Sequence, residues 1–268
     1  MQIKRGFKAI RRIWKNGLIN ALKIKMKKNQ RLTQALAQMQ RQDSIYQPTA
    51  FWATASKRII DELQTNGVEK FRQLPSTLNY FVPNYGIPTS GLNREQMEIM
   101  SEILNQKFPT AIKAHLAFNH WVSGQQSALA EYRTLLASEN DHSLPNLSTF
   151  SESNVGHPQE QWEWNSQRFS RSSLNYLLGL SFLKKYLHGD VPRKLLEIGG
   201  GFGTLGEIWS QAGISDWQYI DIDIPPTQFC ADYYLREVLG SNKFTGFDEI
   251  PINPAFHIVE LWSILIFE

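Results

Sequence analysis

Residues 195–209 read LLEIGGGFGTLGEIW: an apolar run closes on a carboxylate and breaks into four glycines within five residues before an apolar-patterned stretch resumes. This stretch constrains the fold more than any other. VPRKLLEIGG predicts a short buried strand after a proline, and Thr204 to Trp209 predicts the start of a helix. Thr204 and Glu207 have the spacing of a capping box, an independent mark of a helix start. Strand, glycine turn and helix in that order present backbone N–H groups to a ligand at the helix N-terminus. A side chain in such a turn would hold the ligand away from the backbone, and part of the turn is expected to need positive φ.

A second unit follows at once. WQYIDIDIPP predicts an alternating strand ending at Asp223, and TQFCADYYLREVLG predicts a helix opening at Thr227 and closed by Gly240. Two consecutive strand–helix units imply an α/β fold with a parallel sheet. The end of the second strand then lies beside the glycine turn. An acidic side chain there can accept hydrogen bonds from both hydroxyls of a ribose, a role that fits Asp223, with Asp221 as the fallback.

Two ligands compete for this arrangement. Gly201, Gly203 and Gly206 satisfy G-x-G-x-x-G with Asp221 about 20 residues on, the fingerprint of a dinucleotide site. Glu197 argues against it, because a fixed negative charge at the mouth of the anion hole repels a pyrophosphate. S-adenosylmethionine has no phosphate and carries a cationic sulfonium and ammonium, so the same glutamate favours it. The expected cofactor is therefore S-adenosylmethionine, with Glu197, Gly199, Gly201 and Gly203 around its methionine part and Asp223 on its ribose.

The rest of the 268-residue chain divides by charge and pattern. Residues 1–41 hold 12 Lys and Arg and no Asp or Glu, which leaves 16 basic against 25 acidic groups in the other 227 residues, a net of −9. In this arm Ile3, Phe7, Ile10, Trp14 and Leu18 fall on one helical face ringed by basic residues, a pattern suited to an anionic membrane surface or to docking on the acidic remainder. Peripheral membrane contact through residues 1–28 is thus one expectation. A basic run without a recognisable nucleic-acid fold does not make nucleic acid an expected partner. The three expected regions are the arm 1–41, a mainly helical accessory or substrate region 42–190, and a partial α/β domain 191–268.

In the middle region SKRIIDELQTNGVEKFRQL reads as a helix stopped at Gly67 and a short second one, and YFVPNYGIPTSGLN reads as loop. Helices are expected from Asn93 to Lys107 and from about Pro109 to Leu136, then a long connection over 140–165 ending in Trp162 and Trp164. Ser172 or Ser173 is expected to cap the apolar helix LNYLLGLSFLKKYL. The single cysteine, Cys230, excludes an internal disulfide and fits a reducing compartment. No stretch approaches the roughly 20 apolar residues that a bilayer demands, so the expected location is cytoplasmic, with the arm as a peripheral contact at the inner face of the membrane.

LLEIGGGFG resembles the first motif of class I methyltransferases, and YIDIDIPP resembles their following acidic-strand motif. The likeness reaches further: FWATASKRIIDELQTNGVEKFRQLPSTLNYFVPNYG, ESNVGHP, SLNYLLGLSFLKKYL and DIPPTQFCADYYL are similar to segments of the bacterial sugar O-methyltransferase family, covering most of residues 50–240. The resemblance implies a Rossmann-like sheet and methyl transfer from S-adenosylmethionine to a sugar hydroxyl, in a surface polysaccharide or glycolipid precursor. It also implies that the proton-removing group comes from the fourth strand or beyond, and only 75 residues run from Lys194 to Glu268. The ending INPAFHIVELWSILIFE does not follow the family pattern, so a sheet incomplete at the C-terminus, truncated near residue 250 and of doubtful activity, is expected. No general base is assigned. His115 and His120 stand about 140° apart on a helix and share no metal-facing edge, and His157 reads as an exposed loop residue. A nicotinamide-dependent oxidoreductase and a non-catalytic membrane-surface scaffold are the competing readings.

Overall fold

In a computed structural model of the chain, the residues described are 32–33, 35–37, 39–41, 43–44, 47–85, 94–139, 143–240, 244–245 and 263–267. The amphipathic positions Ile3 to Leu18 of the arm lie outside them. The chain clusters into two compact units, 1–49 and 50–268. The second is a mixture of helices and small sheets. Among the described residues no helix is long and apolar enough to cross a membrane.

Helix α1 (Ala50–Asn66) forms because Ala55, Ile59 and Leu63 recur every four residues and are buried along one face. Gly67 stops it at φ 86° while its N–H still reaches Leu63 O at 2.9 Å. A 3-10 turn (Val68–Gln73) then buries Val68, Phe71 and Arg72. Helix α2 (Pro75–Tyr80) opens on a proline, and Glu62 Oε2 accepts from Ser76 N at 3.0 Å and Ser76 Oγ at 2.6 Å, a carboxylate set on a helix N-terminus. After α3 (Arg94–Lys107), the single helix expected over 109–136 is two, α4 (Ile112–Ser123) and α5 (Gln125–Ser138). The break is Gly124, whose left-handed φ of 68° no continuous helix tolerates.

The long connection folds into a hairpin, β1 (Trp162–Trp164) against β2 (Gln167–Phe169). Trp164 stacks on Tyr132 at 4.9 Å and on Trp162 at 6.3 Å, so both tryptophans pack within the protein. Helix α6 (Arg171–Leu187) is capped by Ser170, not by Ser172 or Ser173: Ser170 N donates to Ser173 Oγ at 2.9 Å, and Ser173 N donates back to Ser170 Oγ. The reason is a tertiary contact, since Glu152 draws both hydroxyls, at 2.8 and 3.2 Å, into one buried cluster with Arg72 Nη2 at 2.6 Å.

Strand β3 (Lys194–Ile198), helix α7 (Thr204–Gln211), strand β4 (Gln218–Ile222) and helix α8 (Pro225–Leu239) follow in the expected order. β3 and β4 pair in parallel, Leu195 opposite Tyr219 and Glu197 opposite Asp221. The remaining pairing is not parallel. β6 (Ser263–Phe267) lies antiparallel on β4 and beside β5 (Phe244–Thr245), giving the order β3-β4-β6-β5. β3 is also less buried than a parallel strand is expected to be: it stands at the sheet edge, with Leu196 61% and Ile198 79% exposed.

Two apolar clusters hold unit 50–268 together. One joins Ile59 and Phe71 to Phe202, Trp209, Tyr219 and Tyr234; the other joins Tyr132, Phe150, Phe169 and Leu174 to Ile208. α7 contributes to both, so the helix that follows the glycine turn is clamped on two sides.

Candidate functional site

The glycine turn is held by its own backbone. Gly199, Gly201 and Gly203 have φ of 78°, 67° and 89°. Their N–H groups donate respectively to Ile222 O at 2.7 Å, to Asp223 Oδ2 at 2.9 Å and to Gly200 O at 3.3 Å. The first two bonds tie the turn to the end of β4 and place Asp223 directly against it. Asp223 Oδ1 accepts the Ile224 N–H at 2.6 Å, so both oxygens are fixed from the backbone. Burial pushes the Asp223 carboxyl up to about 6, against the two N–H bonds that hold it down, with Glu197 adding to the rise.

Beneath Gly200 lie two more carboxylates. A side chain at this glycine would collide with Asp221 Oδ1 and Glu197 Oε2. Asp221 is 0% exposed and neither oxygen makes a hydrogen bond of good geometry. Burial drives its carboxyl well above the usual range, helped by Asp223 and Glu197 and opposed by the nearby Gly200 N–H. Glu197 accepts the hydroxyls of Tyr176 and Tyr219, each at 2.5 Å. Burial and the Glu197 charge raise both phenols, which therefore remain protonated donors.

Above the turn is a cavity of about 320 Å³, a size in the range of about 300–1,000 Å³ typical of small-molecule sites. Its floor is Gly199 to Phe202, Thr204, Asp223, Ile224 and Thr227; Ser172 and Tyr176 reach in from α6; Trp52, Tyr80, Phe81 and Pro83 form the opposite wall. Among the described residues no Lys or Arg lines it. The Ser172 and Thr204 hydroxyls share a hydrogen bond at 2.8 Å.

Of the residues singled out in the sequence, Gly199, Gly201 and Asp223 line this cavity together. Glu197 does not; it lies behind Tyr176, whose hydroxyl it binds. Gly203 faces α8, where a methyl would come within 2.7 Å of Leu235 Cδ1. The capping box read from Thr204 and Glu207 is absent: Gly203 is the N-cap, without a side-chain bond. Glu207 instead turns into the core and accepts Ser153 N at 2.7 Å and the Tyr234 hydroxyl. Burial and the Glu152 charge push Glu207 up to about 7, those two hydrogen bonds opposing the rise.

Neither the aromatic wall nor Ser172 and Tyr176 is marked as ligand-binding by the sequence, although the wall and Tyr176 lie in segments that carry the family resemblance. The wall comes from the clustered rings in FWATASK and NYFVP, segments more than 100 residues before the turn. His115, His120 and His157 do not line the cavity: His115 Nε2 bonds Phe108 O at 2.9 Å, His120 Nδ1 bonds Gln126 Nε2 at 3.1 Å, and His157 is exposed at φ 52°. Among the described residues no group of three His, Cys, Asp or Glu side chains is placed to hold a metal ion. Compared with protein-family models, with curated proteins and with solved structures, the chain finds no match in any of the three.

Proposed function

We propose that this chain is a Rossmann-like S-adenosylmethionine-binding methyltransferase domain that acts on a sugar hydroxyl of a surface polysaccharide or glycolipid precursor. The observation that carries the cofactor half is the seat of Asp223. Its carboxylate takes the Gly201 N–H within the cavity floor, the donor that a pyrophosphate would need. The Gly199 and Gly203 N–H groups are also engaged internally. A phosphate about 4 Å from that carboxylate would be repelled by about 4 kcal/mol at an effective dielectric of 20, and among the described residues no lysine or arginine in the lining offsets it.

A ligand without phosphate and with positive charge fits the same surroundings. Asp223 keeps lone pairs for two ribose hydroxyls. Glu197 gives the floor negative charge close to the turn, and Tyr176 carries its hydrogen bonding to the cavity edge. The rings of Trp52, Tyr80 and Phe81 offer apolar faces to a base or a sugar. The bound cofactor would supply both the methyl group and its leaving group. The sugar half rests on the sequence resemblance over residues 50–240.

Calorimetric titration of the 268-residue protein with S-adenosylhomocysteine and, in parallel, NAD tests the reading. Micromolar binding of S-adenosylhomocysteine with no heat from NAD supports it. Tighter binding of NAD, or no binding of either ligand by a cooperatively folded protein, would overturn it.

A further inference from the structure

Thr227 is the third residue of α8 and follows two prolines, Pro225 and Pro226. It is 1% exposed, it lines the cavity beside Asp223 and Ile224, and its hydroxyl has no hydrogen-bond partner. A threonine in the first turn of a helix ordinarily spends its hydroxyl on a cap or on a carbonyl one turn back. Here neither bond is made. A buried hydroxyl left unpaired is costly and rare, and one that faces a cavity has a ready partner only in whatever fills that cavity.

The surroundings narrow that occupant. Two prolines at the start of α8 contribute no N–H, and the Gln228 N–H is spent on Ile224 O at 2.9 Å. This end of the helix is thus poor in donors for an anion, and the adjacent Asp223 carboxylate repels one. What the Thr227 hydroxyl can meet is a neutral group that both donates and accepts, next to the groups that Asp223 holds.

We infer that Thr227 binds the adenosine end of the ligand through its hydroxyl, beside the ribose on Asp223. The inference rests on the S-adenosylmethionine reading, and its role is ligand recognition, with no part in holding α8 together.

The test is titration of wild type, Thr227→Val and Thr227→Ser with adenosine and with S-adenosylhomocysteine, together with a thermal melt of each unliganded protein. Valine keeps the shape and removes the hydroxyl. The expected result is an affinity about ten-fold weaker for both probes in Thr227→Val, near-complete recovery in Thr227→Ser, and an unliganded melting temperature for Thr227→Val no lower than wild type. Wild-type affinity for both probes in Thr227→Val would overturn the inference while leaving the cofactor reading intact. So would a loss of affinity that tracks a lowered melting temperature and is not recovered by serine. A wild-type protein that binds neither probe overturns the cofactor reading, and the inference falls with it.

Discussion

If Asp223 holds a ribose as proposed, lowering the pH through 6 should release the ligand, because that carboxyl titrates there. Asp223 is lifted by burial from 3.8 to about 6, with the Ile224 and Gly201 N–H bonds restraining the rise and Glu197 adding to it. An acid with that pKa is ionised in roughly ten molecules of eleven at pH 7 and in roughly one of eleven at pH 5. If only the carboxylate accepts both ribose hydroxyls, the apparent Kd rises about ten-fold over that interval, equivalent to about 1.4 kcal/mol, and is flat above pH 7. Adenosine is the right probe, since it does not titrate between pH 5 and 8. Asp221, whose carboxyl burial drives well above the usual range, and Glu207, pushed up to about 7, do not line the cavity. Calorimetry at half-unit steps, with Asp223→Asn in parallel, decides the matter. The substitution should bind weakly and without pH dependence. A wild-type Kd that stays constant from pH 5 to 8, or an Asp223→Asn profile that retains the wild-type slope, would refute the reasoning.

Glu207 supplies a stability prediction of opposite use. Its folded pKa of about 7 exceeds the ordinary 4.5, so between those values the folded protein keeps a proton that the unfolded chain has lost, and stability falls as pH rises. Glu207→Gln should therefore be neutral at pH 4.5 and stabilising by about 3 kcal/mol at pH 8 in urea denaturation; an equal effect at both pH values would contradict it. Gly203→Ala should destabilise by about 3 kcal/mol, since it combines a left-handed backbone with a methyl pressed on buried Leu235. Gly199→Ala, with φ 78° and open space around it, should cost about 1 kcal/mol, and equal losses for the two variants in denaturant melts would show that the Leu235 contact is immaterial.

The strand–turn–helix at Lys194–Gln211 and its successor were legible in the sequence because their signals are local: alternation, glycine runs, a proline pair and a closing Gly240. The side-chain partners were not. Thr204 and Glu207 have the spacing of a cap, yet Glu207 is drawn away by Ser153 and Tyr234, which lie 54 residues before it and 27 after it. Ser170 outcompetes Ser172 and Ser173 as a cap because distant Glu152 organises the hydroxyls around it. Gly124 is a local signal that was outweighed by the helical pattern on either side. The cavity's aromatic wall is invisible for a different reason, since rings that line a ligand and rings that fill a core have the same spacing on a helix. Glu197 was correctly placed at the end of β3, but that its charge would be met first by Tyr176 and Tyr219 depends on α6 and β4 packing around it.

The two prolines that open α8 bear on more than the shape of a helix end. Each fixes its own φ near −65°, so the backbone leaving Asp223 has few conformations to lose, and the carboxylate is tied at both oxygens before any ligand arrives. Most of the ordering entropy on this side of the cavity is thus spent during folding, and association need not supply it again. The opposite wall is built of half-buried rings on α1, at the end of α2 and just after it. Differences in affinity among related ligands should accordingly arise where those rings adjust, while the Asp223 side behaves as a fixed template.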